Sequence, residues 1–439
     1  APVDFTNTGI INHNTQWSNG VHQILQVKEL LKLSSESLIT TYISNMGYFQ
    51  NYGQNIYGVT GTLGSSGSQA LLKDVYDVDL GIIPTFQAKQ FTELPAVLVT
   101  GQLEHDAAIL KSIQKQVANS RAVLVICDTI FKAQNLHHCL SQALPGLNIK
   151  LYSRTDNEES MAVETRISCK DIIVATNLAG RGTDIKTTAE LEAKGGLHVC
   201  VTYLPSNQRV EDQALGRTSR QGNYGSGELI IHLSEALEQI HNVSLDPQNI
   251  DEIDILQLKQ LRHAQEEDRL LRANLLDVNR IKLEDDLFKD FCALHQQLKL
   301  KDNHKEKLMQ VQELWGLLLK QIKVGYSNDE EFPIPQISHK YADSKERAES
   351  YNKHHAIKAK AAFDIFAERM QKKYTEDFAI FENHNYLVQY ANNHMQSGEL
   401  DKSIEALEAA IKVDTPYKHN TYYSKAYALI SKKSIECTK

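Results

Sequence analysis

No apolar run in this sequence approaches the roughly 20 consecutive residues that a membrane-spanning helix needs; the longest, such as Ala122–Cys127 and Ile172–Ala175, stop after a few positions. That excludes a bundle of spans and leads us to expect a soluble chain. Basic residues are not in excess: 47 Lys and Arg stand against 55 Asp and Glu, a net charge of −8. A dedicated nucleic-acid binder normally carries a basic stripe, so nucleic acid is disfavoured as a partner. Six cysteines (Cys127, Cys139, Cys169, Cys200, Cys292, Cys437) lie far apart with no CxxC pair. Free thiols in a reducing compartment fit that spacing better than a disulfide framework or a zinc site. Nine prolines and 22 glycines rule out collagen-like or low-complexity structure. HExxH and EF-hand patterns are absent, and Gly61, Gly64 and Gly67 fit neither GxSxG nor GxGxxG. His137-His138 and His354-His355 read as surface histidines, because adjacent helical residues point apart. Asp246, Asp251, Glu252 and Asp254 read as a helix-start cluster, which favours acids, rather than a calcium site. The chain opens at Ala1 without methionine or a signal pattern, as a piece of something longer would.

What is present changes character along the 439 residues, a length for about three domains. Between about residues 95 and 235, β-rich runs alternate with helical patterns. The runs are Ala96–Thr100, Ala122–Cys127, Lys150–Tyr152, Ile172–Thr176, His198–Thr202 and Glu228–Leu233; Gln102–Asn119, Thr129–Ala143 and Asn157–Ser168 are the expected helices. Continuous apolar strands separated by helix-length segments predict a parallel sheet covered on both faces, an α/β lobe. After about residue 250 the β signal ends. Ile255, Leu258, Leu261, Leu271, Leu275, Val278 and Ile281 form the stripe of a long amphipathic helix, with Glu266, Glu267, Asp268, Arg269 and Arg272 as its solvated face. Pro333 and Pro335 mark a linker. Near the end, Leu387, Tyr390, Ala391, Gly398, Ser403, Leu407, Ala410 and Pro416 follow tetratricopeptide spacing, and Ala426 follows Ala391 after about one such repeat. An ordinary helical hairpin is the alternative there. The expected fold is thus α/β followed by all-α.

Three clusters carry candidate chemistry. The strand Ile172–Thr176 runs into a loop with Gly180, Arg181, Gly182, Thr183 and Asp184. Ligands of open α/β sheets bind beyond the carboxyl ends of strands. Glycines there would let backbone approach a phosphate, and Asp184 could accept from a ribose hydroxyl; a plain turn is the alternative. The second cluster runs from Gln213 to Gly222, with Arg217 and Arg220 three apart and expected on one face of a short helix. Two guanidiniums so placed suit the charge on a transferring phosphoryl group, and a pair of solvent-facing arginines is the alternative. The third is Tyr57-Gly-Val-Thr-Gly-Thr-Leu-Gly64, with Thr60, Gly61 and Thr62; a strand ending in a glycine turn would explain it equally.

In this order the clusters resemble motifs of the SecA preprotein-translocase motor family, over roughly residues 1–290. The resemblance rests on Trp17-Ser-Asn-Gly-Val-His-Gln23, Gly58–Thr62, Ile83-Pro-Thr85, Ala175–Ile185, Gly195-Gly-Leu-His198 and Gly216-Arg-Thr-Ser-Arg-Gln-Gly222. It implies a RecA-like second nucleotide-binding lobe of superfamily 2 helicase type, and a scaffold helix after about residue 250. The implied organisation is 1–88 (end of a preprotein-binding insertion and tail of the first lobe), 89–245 (second lobe), 246–330 (helical scaffold), 331–384 (helical linker region) and 385–439 (tetratricopeptide-like helices). In such a motor ATP sits between two lobes. Arg217 and Arg220 would serve its γ-phosphate, and Gly180–Asp184, Gln213 and Thr60–Thr62 the rest of the nucleotide. The implied partners are an unfolded preprotein and a membrane protein channel, with a protein or peptide on the repeat-like end. The implied location is cytoplasmic, peripheral at a membrane.

The sequence departs from the family in several places. It has no GxxxxGK[ST] loop for the β/γ-phosphates and no DEAD-type acidic pair before Thr60 for magnesium. Leu215 stands where the family has arginine, Ser219 where it has glycine, and no cysteine-rich zinc tail follows. Asn7, Thr8 and Gln16 replace charged residues or glycine. Half an ATPase is therefore expected, inactive alone. The rival readings are a superfamily 2 nucleic-acid helicase fragment and a catalytically dead interaction scaffold.

Overall fold

The computed structural model describes residues 15–17, 20–34, 39–152, 166–176, 185–240, 253–301, 305–374, 384–412 and 418–438. They fall into two compact units, Ala1–Thr15 with Gln54–Arg272, and Gln16–Gly53 with Ala273–Lys439.

The first unit is built on seven strands: β1 (Gln90–Glu93), β2 (Val97–Val99), β3 (Val123–Cys127), β4 (Ile149–Tyr152), β5 (Ile172–Thr176), β6 (Leu197–Val201) and β7 (Tyr224–His232). Every pairing is parallel, in the order β1-β7-β6-β3-β5-β4, with β2 also paired to β7. The apolar runs all became strands. Only β1, with the sequence QFTE and mostly exposed, was not foreseen, because it carries no hydrophobic run. Side chains of β3 sort by parity into two cores. Leu124 and Ile126 join Val199, Val201, Leu229 and Leu258 on one face, whereas Val123, Val125 and Cys127 join Ile109, Ile113, Leu140 and Val174 on the other. A sheet buried on both faces is what continuous apolar strands require.

Several helices of this unit begin where short polar side chains cap them, at Ser65, Thr129, Thr188 and Asn207. Helices α4 (Gln102–Ala118) and α5 (Ile130–Ala143) match the expected ones; Thr129 caps α5 by accepting from the Lys132 N–H at 3.2 Å. Before them in the chain comes α3 (Ser66–Tyr76), whereas α1 (Val21–Lys28) and α2 (Asn45–Gln50) belong to the second unit. After them come α6 (Ala189–Ala193), α7 (Gln208–Leu215), α8 (Leu233–Gln239) and α9 (Ile255–Arg272). The expected helix Asn157–Ser168 lies mostly outside the described residues; Ile167 forms a parallel bridge with Thr187. Asp254 starts α9 by a reciprocal cap, accepting from Gln257 N at 2.8 Å while Gln257 Oε1 accepts from Asp254 N at 3.0 Å. Asp246, Asp251 and Glu252 lie outside the described residues.

Residues Ala273–Asp277 form a π-helical turn, followed by α10 (Val278–Lys301), α11 (Lys305–Asn328) and α12 (Ser344–Lys373) of the second unit. Their core centres on fully buried Trp315, stacked on Phe291 at 4.7 Å. The break at Pro333 and Pro335 is real, but its chain is packed: Phe332 stacks on His354 at 4.4 Å. His355, expected at the surface, is 4% exposed, held between Tyr326 and Tyr351. The aromatic neighbours that bury it come from α11 and its own helix, and no local pattern announces them. The chain closes with α13 (His384–Gln396), α14 (Leu400–Lys412) and α15 (Lys418–Thr438), packed around Ala391, Ala406, Leu407 and Ala428. Ser403 is fully buried among them, where close helix contact needs a small residue, but Ala426 is exposed and Ala428 takes the buried place.

Candidate functional site

Because all strands run parallel, the sheet has one amino edge and one carboxyl edge. Helix α7 crosses from the second to the first, starting at its cap Asn207 beyond β6 and ending at Leu215. Its last full turn presents Gln213, whose Nε2 donates to Thr62 Oγ1 at 3.0 Å. Thr62 N in turn donates to Thr60 Oγ1 at 3.2 Å, which closes a small turn around Gly61. Two of the three sequence clusters, 151 positions apart, thus touch. The stretch from Tyr57 to Gly64 is not a strand; Tyr57 and Val59 are almost fully exposed.

Arg217 and Arg220 do not share a helix face, which corrects the sequence expectation. Helix α7 ends at Leu215, and the arginines lie in the irregular turn beyond it, where Ser219 (φ 55°), Gln221 (φ 54°) and Gly222 (φ 81°) all adopt left-handed backbone. A three-residue spacing suits a turn as well as a helix. Here Gly216 and the left-handed residues decide for the turn, and Ser219 occupies a conformation that glycine adopts most readily. The turn is tied down. Thr218 Oγ1 donates to Leu197 O at 2.7 Å, Ser219 Oγ to Asn223 O at 3.0 Å, and Arg220 Nε to Gly216 O at 3.1 Å. Leu197 opens β6, so both half-buried arginines stand at the amino edge of the sheet. Thr176, the end of β5, stands at the carboxyl edge. The chain is back beside Ile167 by Lys186, where Ile167 N donates to Lys186 O at 2.8 Å. Gly180, Arg181, Gly182, Thr183 and Asp184 lie outside the described residues. Leu215, in the family's arginine position, is 6% exposed, and its side chain packs against Gly227 of β7.

Two polar constellations escaped sequence reasoning. In the first, Glu211 of α7, 2% exposed, accepts from Lys259 Nζ at 2.7 Å and from the buried guanidinium of Arg262, both on α9. The signal was available: the apolar stripe of α9 breaks between Leu261 and Leu271, and Arg262 sits in the break, four residues after Leu258. Nor is Glu266 merely solvated, since Arg269 grips it from Nε at 2.6 Å and Asn207 Nδ2 reaches it at 3.3 Å. Lys259, Arg262, Glu266, Arg269 and Asn207 line a cleft of about 430 Å³ between Gly64–Ser68, the start of α7 and α9. In the second constellation, His198 Nε2 donates to Glu228 Oε1 at 3.0 Å, Ser226 Oγ meets His198 Nδ1 at 2.8 Å, and Ser112 donates to the same Glu228 oxygen. His198 is fully buried, so this is an internal network without access for a substrate.

Chemically, the turn carries two guanidinium groups close together in sequence, the kind of side chain that can pair with an anionic group. Among the described residues no group of three or more His, Cys, Asp or Glu side chains could hold a metal. Cys127, Cys139, Cys169, Cys200 and Cys292 are free thiols, and burial pushes that of Cys127 up to about 12.

Residues 95–194 match the SecA P-loop domain. The protein translocase subunit SecA of Sulfurimonas denitrificans is 29% identical over 233 residues, 53% of this chain and 27% of that protein. Protein translocase subunit SecA 2 of Nitrosospira multiformis is 31% identical over 52% of this chain and 34% of its own length. The chain therefore spans about a quarter to a third of the curated relatives it matches. Among solved structures, the E. coli DEAD-box protein SrmB is similar at 20% identity, covering 37% of this chain and 87% of that one, with a TM-score of 0.27.

Proposed function

Because residues 95–194 match the SecA P-loop domain and about half of the chain is similar to SecA proteins, we propose that it is one part of a SecA-type motor, supplying the second nucleotide-facing lobe of an ATPase that drives polypeptide translocation. In this reading ATP is bound against a first lobe that brings the phosphate loop and the magnesium ligands, and its hydrolysis supplies the driving chemistry. This chain's part is electrostatic. Arg217 and Arg220 neutralise charge on the γ-phosphate, and Gln213 and the Thr60–Thr62 turn hold the approach beside them. Gly180–Asp184 complete the nucleotide side. The observation that carries the reading is the Gln213–Thr62 hydrogen bond, which joins two separate motifs on the helix that delivers the arginine turn.

The domain organisation set out from the sequence, with its scaffold after residue 246 and its tetratricopeptide-like end, belongs to this proposal. So do an unfolded preprotein and a membrane channel as partners, and a cytoplasmic, membrane-peripheral location. Among the described residues no helix is long and apolar enough to cross a membrane. Burial of Leu215 in the sheet core favours one other reading, a lobe that no longer takes part in hydrolysis. Phosphate release separates the two: mixed with a first lobe carrying a GKT loop, this chain should restore turnover, and Arg217→Ala should lower it about 10³-fold with nucleotide affinity nearly kept. No turnover in the mixture leaves the inactive scaffold.

A further inference from the structure

The two adjacent histidines of α12 close on one residue of the proline linker. His354 stacks on the Phe332 ring at 4.4 Å and 15°, and His355 hydrogen-bonds to the Phe332 carbonyl. Phe332 N donates to Asp329 Oδ1 at 3.3 Å, and Asp329 Oδ2 accepts from Lys358 Nζ, one helical turn beyond His354, at 2.7 Å. Ring, carbonyl and amide of Phe332 are thus all committed, and the chain enters Pro333 and Pro335 from that pin.

One atom of the pin is sealed and unsatisfied. His355 is buried against the rings of Tyr326 at 4.8 Å and Tyr351 at 4.3 Å, and its Nε2 has no hydrogen-bond partner among the described residues. Both phenol protons are spent elsewhere, Tyr351 on Tyr326 O and Tyr326 on Asn352 Oδ1. The Phe332 carbonyl can only accept, so the ring proton faces it and Nε2 keeps a bare lone pair. A second proton would bring a donor and a full charge into the same apolar wall, which burial penalises far more. The surrounding charges do not reverse this. Asp329 favours a charged His355, but Lys358 already pairs with Asp329 and opposes that effect, as does His354. Glu331 acts on Lys358, and Asp277, Arg280 and Glu284 act on Tyr326. Burial first, then His354, hold the His355 pKa below the ordinary histidine range.

We propose that this cluster is a proton-operated latch: protonating His355 releases Phe332 from α12 and lets residues 329–340 peel away. Phe332 and Ile337 pack on Leu276, Tyr326 and Tyr351, so opening uncovers an apolar cluster. The sign follows from the depressed folded-state value. Closure is complete at neutral pH, weakens as pH falls below the ordinary value of 6.5, and levels off once the closed form itself titrates. At about pH 5.5 a freed imidazole is protonated about ten to one, so the open population rises up to about tenfold from about pH 7.5.

Cutting the full chain with a Glu-specific protease tests this. The readout is the rate of cleavage after Glu331, divided by the rate at the same bond in a free peptide of residues 326–337 at the same pH. That ratio follows the open population when reclosing is fast. It should rise about tenfold from about pH 7.5 to about pH 5.5, while cleavage after Glu284 of α10 stays constant. The rise should persist in His354→Gln and vanish in His355→Gln, at whatever level that variant sets the ratio, because its side chain does not titrate. A ratio equal at the two pH values overturns the proposal. So does a rise that survives His355→Gln, one that disappears with His354→Gln, or one matched after Glu284, which reports unfolding of the helical unit instead.

Discussion

At Gly196 the carbonyl oxygen of Tyr224 stands 1.9 Å from where a Cβ would be, and φ is 71°. Gly196→Ala should therefore destabilise the sheet unit by about 3 kcal/mol or more, read as a shift in the urea midpoint. The Gly195-Gly196 pair was visible as a motif in the sequence. Its reason was not, because the oxygen that forbids a side chain belongs to a strand 28 positions on. Glu228 is a second case. Burial alone would raise its pKa, but the donors His198 and Ser112 outweigh burial and hold it below the ordinary carboxylate range. A depressed folded-state value contributes stability wherever an unfolded glutamate is ionised, and that contribution drains away as pH falls through the folded value. Glu228→Gln should thus cost about 2 kcal/mol at neutral pH, and the gap to wild type should close on acidification; a gap independent of pH refutes the assignment.

Between elements, Glu211 fastens α7 to α9. Glu211→Ala would strand the cation of Arg262, itself 4% exposed, at a cost of about 3–5 kcal/mol. The double change Glu211→Met with Arg262→Met should recover much of that loss, because an apolar pair of similar volume needs no desolvation of charge. Thermal melts of the three variants measure this, and equal losses in single and double variants would exclude a mutual pair. Helices α4 and α5 were legible because period and length agree locally, with a Thr129 cap added at α5. The arginine turn was misread as helix because spacing cannot report backbone sign: Ser219 and Gln221 are left-handed only in the company of Gly225 and Leu197, against which the turn is clamped.

For the whole molecule, the proposed motor role carries a plain consequence. In that role the lobe would present Arg217 and Arg220 to a phosphate, but its sequence contains no phosphate loop. Incubated alone with ATP and magnesium, the chain should release phosphate no faster than blank, since an arginine finger only multiplies a reaction set up elsewhere. Release well above blank would sink the half-site reading.

Hydrophobic order along the chain was enough to specify the parallel sheet, its two helical covers and the helical region after it, because strand and helix periods are local properties of a sequence. Motif order was enough to reveal the similarity to SecA proteins that the comparisons also find. Three things were settled only by distant parts of the chain meeting: that the two arginines occupy a turn at the amino edge, that Arg262 turns inward to Glu211, and that His354 and His355 close on Phe332. Burial, backbone handedness and charge pairing depend on neighbours tens to hundreds of positions away, which no window along the sequence contains.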